Sequence, residues 1–81
     1  MDPFDAYLDA HRDQFLDELK RYCAQPSVAA QDYGMTAMAA LVRERLEVRG
    51  FATRLIPTAG HPVVYGELGD GPRTLLIYDH Y

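Results

Sequence analysis

Arg73-Thr74-Leu75-Leu76-Ile77-Tyr78-Asp79-His80-Tyr81 is the stretch that decides the fold class. It is a run of apolar and β-favouring residues leading into an acid and a histidine. A short continuous apolar run bounded by turn residues predicts a strand buried on both faces. Polar groups at the carboxyl end of such a strand lie where open α/β sheets place their ligands.

Working back from this strand, Gly69-Asp70-Gly71-Pro72 is a turn signal, expected to form a hairpin with the strand before it. That strand is Val63-Val64-Tyr65-Gly66-Glu67-Leu68. The turn Thr58-Ala59-Gly60-His61-Pro62 separates it from another, Ala52-Thr53-Arg54-Leu55-Ile56, which Pro57 stops. Residues 73–78 thus read as the third strand.

Upstream the apolar period is helical. Met35, Met38, Leu41, Val42 and Leu46 form one stripe, with Asp32 as its expected cap. Arg43, Arg45 and Arg49 load the carboxyl end, as the helix dipole favours, and read as a solvated set. Gly50 suits the left-handed residue that closes a helix, with Phe51 packing after it. Earlier still, Phe4, Tyr7, Leu8, His11, Phe15, Leu16, Leu19, Tyr22 and Cys23 recur at helical spacing. They predict one amphipathic helix of about five turns. Asp2 caps it, Pro3 takes its first position and Pro26 ends it.

The order is helix, helix, strand, strand, strand: the α/β class. Three strands and two helices cannot cover both faces and both edges of a strand as apolar as Leu75-Leu76-Ile77. Residues 1–81 are therefore expected to be the N-terminal portion of a larger domain, or to pair with another chain.

Composition narrows the function. The chain is 48% hydrophobic and 25% charged, which fits a folded domain and not a disordered one. Its net charge of −4 argues against nucleic acid, whose phosphates need a basic face. A single cysteine excludes an internal disulfide and fits a reducing, cytoplasmic setting. The acidic start carries no apolar core of a signal peptide, and no apolar run is long enough to span a bilayer, so no membrane partner is expected.

Among candidate residues, His80 stands first, as a metal ligand held at a strand end. Taken alone, the residue fits a surface histidine better, since a metal site needs three or four ligands. Asp79 points to the opposite face of a strand and reads as a solvated carboxylate. His11 reads as a packed histidine with a local hydrogen bond, His61 as a solvated turn residue and Cys23 as core. Ser27 lacks a nucleophile-elbow context, and no helix follows Gly66, Gly69 and Gly71 to make a phosphate cradle.

Residues 74–81 resemble the first metal-binding segment of the M20 zinc metallopeptidases, a group of dipeptidases, carboxypeptidases and amino-acid deacylases. There an apolar strand leads into His-x-Asp, often His-Tyr-Asp-Val in dipeptidase-like members. Gln25-Pro26-Ser27-Val28 is similar to that family's Ile-Pro-Ser-Val after the first helix. Arg49-Gly50-Phe51 before a strand, and the run from Gly71 to Leu76 into the motif, keep the family's order. The resemblance covers about residues 15–81, only the N-terminal part of such a catalytic domain. It implies a mixed-sheet peptidase domain, incomplete on its own, with His80 ligating one of two zinc ions. Asp79 stands where family members often carry glycine. The catalytic aspartate would fall just beyond Tyr81, so the resemblance puts no catalytic residue within residues 1–81. It also implies zinc-assisted hydrolysis of a peptide or N-acyl amino acid, dipeptidase-like, and a homodimer when full-length. Residues 1–81 alone are expected to be inactive. The alternative is a non-catalytic α/β interaction module in which His80 is incidental.

Overall fold

The computed structural model describes residues 2–81. It contains three helices and one antiparallel pair of strands: α1 (Pro3–Ala10), α2 (Arg12–Ala24), α3 (Met35–Val48), β1 (Ala52–Ile56) and β2 (Val63–Glu67). The α/β class is as the sequence indicates.

Asp2 caps α1, its carboxylate accepting from the Phe4 N–H at 2.7 Å, and Pro3 opens the helix. The expected single long helix is two. At His11 the ring Nδ1 lies 2.8 Å from the Tyr7 carbonyl, which the His11 N–H also reaches at 3.1 Å. A side chain competing for the i−4 carbonyl bends the ladder there, and α2 resumes at Arg12. The Tyr7 and His11 rings stack at 4.0 Å. The apolar stripe of these helices is not buried: α1 and α2 contain no buried residue, and Phe4 is 67% exposed. Gln25 is extended before Pro26, so α2 ends where the proline requires.

A short bridge between Val28 and Tyr33 closes the next loop, around a 3₁₀ turn at Ala29–Gln31. Asp32 does not cap α3. It takes the left-handed conformation, and Gly34 precedes the helix at φ +73°. A β-carbon on Gly34 would lie 2.0 Å from the Pro26 carbonyl oxygen, so this close approach of loop to loop needs glycine. The other end of α3 behaves as expected. Gly50 at φ +92° lets its own N–H reach Glu47 and the Phe51 N–H reach Leu46, the paired bonds of a Schellman closure.

β1 and β2 pair from Ala52↔Glu67 to Ile56↔Val63. α3 packs against this ribbon. Gly66 allows the approach: a β-carbon there would meet Leu46 at 3.2 Å and Phe51 at 3.4 Å. The core is Met35, Met38, Ala39 and Leu41, all on α3.

The expected third strand is absent. Residues 68–81 form no helix, strand or hairpin. Leu75, Leu76, Ile77 and Tyr78 are 79–84% exposed. The apolar run joins no strand ladder, and without a neighbour's N–H and C=O groups a run of apolar residues is not a strand. The accessible surface is 6774 Å² for 9.2 kDa, where a compact monomer of that mass shows about 4,900 Å². The radius of gyration is 15.0 Å against about 12 Å for a compact chain of this length.

Candidate functional site

After β2 the chain turns and runs back along it. Residues 76–81 face Val63, Val64 and Tyr65 across an open apolar groove of about 430 Å³, with Met35 on its lining. The Tyr81 hydroxyl donates to the Pro62 carbonyl and fixes the far end of the segment at the β1–β2 turn. His80 lines this groove. Its ring meets that of Tyr78 edge-on at 5.4 Å, with Nε2 3.2 Å from the Tyr78 hydroxyl. Its backbone N–H donates to the Asp79 carboxylate at 2.8 Å. Among the described residues the imidazole's polar partner is the neighbouring Tyr78 hydroxyl.

His61 lines the same groove. It is half-buried, not the solvated turn residue the sequence suggests. Its Nε2 lies 3.2 Å from the Ala29 carbonyl and its Nδ1 3.5 Å from Asp32 Oδ1, tying the β1–β2 turn to the loop before α3. Thr58 shapes that turn, its hydroxyl donating to the His61 carbonyl at 2.7 Å and accepting from the Gly60 N–H at 3.0 Å. Two histidines 19 positions apart in the sequence thus share one groove. Only the return of the chain along β2 brings them there, and no local pattern carries that.

Zinc is the metal that the peptidase resemblance implies, and the donor set does not fit it. Among the described residues no group of three or more histidine, cysteine, aspartate or glutamate side chains is placed to hold a metal ion. Zinc takes three or four protein ligands at about 2.0–2.3 Å. His80 offers one, and His61 already has polar neighbours at both ring nitrogens.

The remaining candidates separate. His11 sits at the α1–α2 bend with the local hydrogen bond expected of it. Cys23 is exposed, not core, because α2 buries no face. Ser27 is a loop residue whose hydroxyl lies 3.6 Å from the Met35 sulfur.

Of the arginines at the carboxyl end of α3, Arg43 and Arg49 keep solvent access while Arg45 is largely covered, and Arg45 and Arg49 share a partner on α2. Arg45 Nε donates to Glu18 Oε1 at 3.0 Å, and Arg49 reaches both Glu18 oxygens at 3.0 and 2.5 Å. The Tyr22 hydroxyl adds a further bond at 3.1 Å. The Arg49 hydrogen bonds, helped by Arg45 and Tyr22 and opposed by partial burial, hold the Glu18 carboxyl at about 2. Burial first, then the Glu18 carboxylate, pushes the Tyr22 phenol up. Arg21 meets Glu44 at 3.2 Å beside this cluster. These pairs clasp α2 to α3. Glu18 was hidden in the sequence among the acids of α2, since its partners lie 27 and 31 residues away.

No family model matches the chain, and no curated protein and no solved structure matches it either.

Proposed function

We propose that this chain is the N-terminal part of a mixed-sheet catalytic domain of a zinc-dependent hydrolase, one that cleaves peptide or N-acyl amide bonds of small substrates in a dipeptidase-like manner. His80 is its single metal ligand within residues 2–81, and the other ligands and the catalytic carboxylates lie outside them. In this reading residues 73–81 become a strand of a larger sheet. The observation that carries it is the pairing of the Thr74–Tyr81 sequence with its setting. An oriented imidazole ends an apolar segment that flanks a groove, and that segment's own apolar side chains stand uncovered.

The reading has a two-part test. The codon after that of Tyr81 is expected to encode aspartate, and any other residue there weighs heavily against the assignment. Calorimetry of the 81-residue chain with zinc is expected to show weak binding and no turnover, because one imidazole is too few ligands. Tight one-to-one binding would place a complete site inside these residues and overturn the division of ligands proposed here. In the full-length enzyme His80→Ala should remove most activity and leave the fold intact.

The second reading is a non-catalytic interaction module. What favours it is the extent of uncovered apolar surface. The two readings share the fold and differ in what buries residues 73–81.

A further inference from the structure

The charge of the chain is unevenly placed. Residues 2–19 hold six acids and one arginine, a net charge of −5, while residues 20–81 hold six acids and seven cations, a net charge of +1. The acidic part is the helical arm made by α1 and the first half of α2. The same arm leaves its apolar side chains uncovered, with Phe4, Tyr7, Leu8, Leu16 and Leu19 all exposed. The two features meet at the bend. A cleft of about 410 Å³ there is lined by Leu8, Phe15 and Leu16, with Asp5, Asp9 and Arg12 beside them. Arg12 is taken by Asp9 at 3.0 Å. Asp5, and Asp13 and Asp17 further along, have no ion-pair partner among the described residues. Asp5 stands three positions before Leu8 and Asp13 three before Leu16, the spacing of neighbours on a helix surface. Asp13 and Asp17, four apart on α2, repel each other, a cost that a cation from outside would relieve.

We infer that the α1–α2 arm is a docking surface for a basic amphipathic helix of another protein. The apolar face of that helix lies on Leu8, Phe15 and Leu16, and its lysines or arginines meet Asp5 and Asp13. Charge complementarity selects the partner. An arm of this charge repels anionic lipid head groups and nucleic-acid phosphates and attracts a cationic protein surface. Backbone chemistry selects a helix. α1 and α2 bond their own N–H and C=O groups, so the arm has no edge to which an extended peptide could add. It offers rows of side chains, which a helix meets with anchors at i, i+3, i+4 and i+7. The clasp to α3 does not occupy this face, because Glu18 is two positions from Leu16 and points away from it. The inference uses α1 and α2 and does not rest on the hydrolase reading, which concerns residues 73–81.

Fluorescence anisotropy under reductant tests it, with two short labelled model peptides as probes. One carries leucine and lysine in helical register, and the other carries glutamate in place of lysine. The lysine peptide is expected to bind the chain one to one, more weakly as salt is added, and the glutamate peptide not to bind. Asp5→Lys and Leu16→Gln are each expected to weaken the lysine peptide by about tenfold or more. Asp70→Lys makes the same change of net charge in the loop after β2 and is expected to leave binding as it was. Far-UV circular dichroism checks that each variant keeps its helices. No binding of the lysine peptide overturns the inference, and so does equal binding of the glutamate peptide. An equal loss with Asp5→Lys and Asp70→Lys would reduce the effect to net charge and overturns it, as does binding that survives Leu16→Gln. Two other occupants are read separately. Co-sedimentation of the chain with phosphatidylserine vesicles, or a dimer of the free chain that Leu16→Gln dissociates, would assign the face to lipid or to a second copy and overturn the inference. Zinc is absent from these measurements, so their failure leaves the hydrolase proposal where it stood.

Discussion

Leu41 on α3 and Leu76 in the carboxyl-terminal segment are the same residue in equally apolar neighbourhoods of sequence, yet Leu41 is 7% exposed and Leu76 is 82% exposed. A helix satisfies its own backbone, so α3 can form first and offer one face for burial against the β1–β2 ribbon. A strand satisfies nothing until a neighbouring edge is in place. The contrast teaches that apolar character identifies what wants to be buried, while backbone pairing decides whether it is.

The sharpest way to break this comparison is truncation at both leucines. Leu41→Ala should cost about 2–5 kcal/mol, a large share of the stability of so small a core. Leu76→Ala should change the monomer by less than about 0.5 kcal/mol, as exposed substitutions do. Thermal melts followed by circular dichroism read both. A comparable loss at Leu76 would mean that the segment is packed in the free chain.

Two glycines sharpen the same contrast. Both have positive φ: Gly34 at +73° and Gly69 at +83°. Gly34→Ala would drive a β-carbon into the Pro26 carbonyl, so both backbone strain and a clash act, and a loss of more than about 1 kcal/mol is expected. At Gly69 a β-carbon meets nothing, so the backbone strain acts without a clash and Gly69→Ala should cost less than Gly34→Ala.

The clasp between α2 and α3 adds a test that reads pH. Glu18 titrates at about 2 in the folded chain, below its ordinary 4.5. A depressed carboxyl contributes stability that is fully present above its unfolded value and is lost as the pH falls through the folded one. The clasp should therefore weaken as acid is added from about 4.5 toward 2. Glu18→Gln should remove that acid limb and lower stability at neutral pH by about 1–2 kcal/mol, discounted for the solvent reaching Arg49. Urea titrations of both proteins across this pH range would show it. Parallel acid profiles for the two would mean that other carboxylates hold the arm.

How far the sequence could be read follows the same division. α3, its Gly50 closure and the bounds of β1 and β2 were legible because periodicity, a left-handed glycine and flanking prolines are local signals. Three features were not, each for a stated cause. The bend at His11 comes from a side chain competing for the Tyr7 carbonyl. The start of α3 at Met35 rather than Asp32 follows from the contact of Gly34 with Pro26. The absent third strand is a pairing that residues 73–78 do not make, and pairing is not a property of composition. Of the candidate site, His80 was legible as the end of an apolar run. Its sharing a groove with His61 was not, because that depends on the chain returning along β2.

The exposed thiol of Cys23 has a practical consequence. It is the single sulfhydryl of the chain, near the end of α2 and open to solvent. One maleimide dye or spin label per molecule will attach there and report on the helical arm alone. The same thiol can join two chains covalently in air, so any measurement of mass has to be made under reductant.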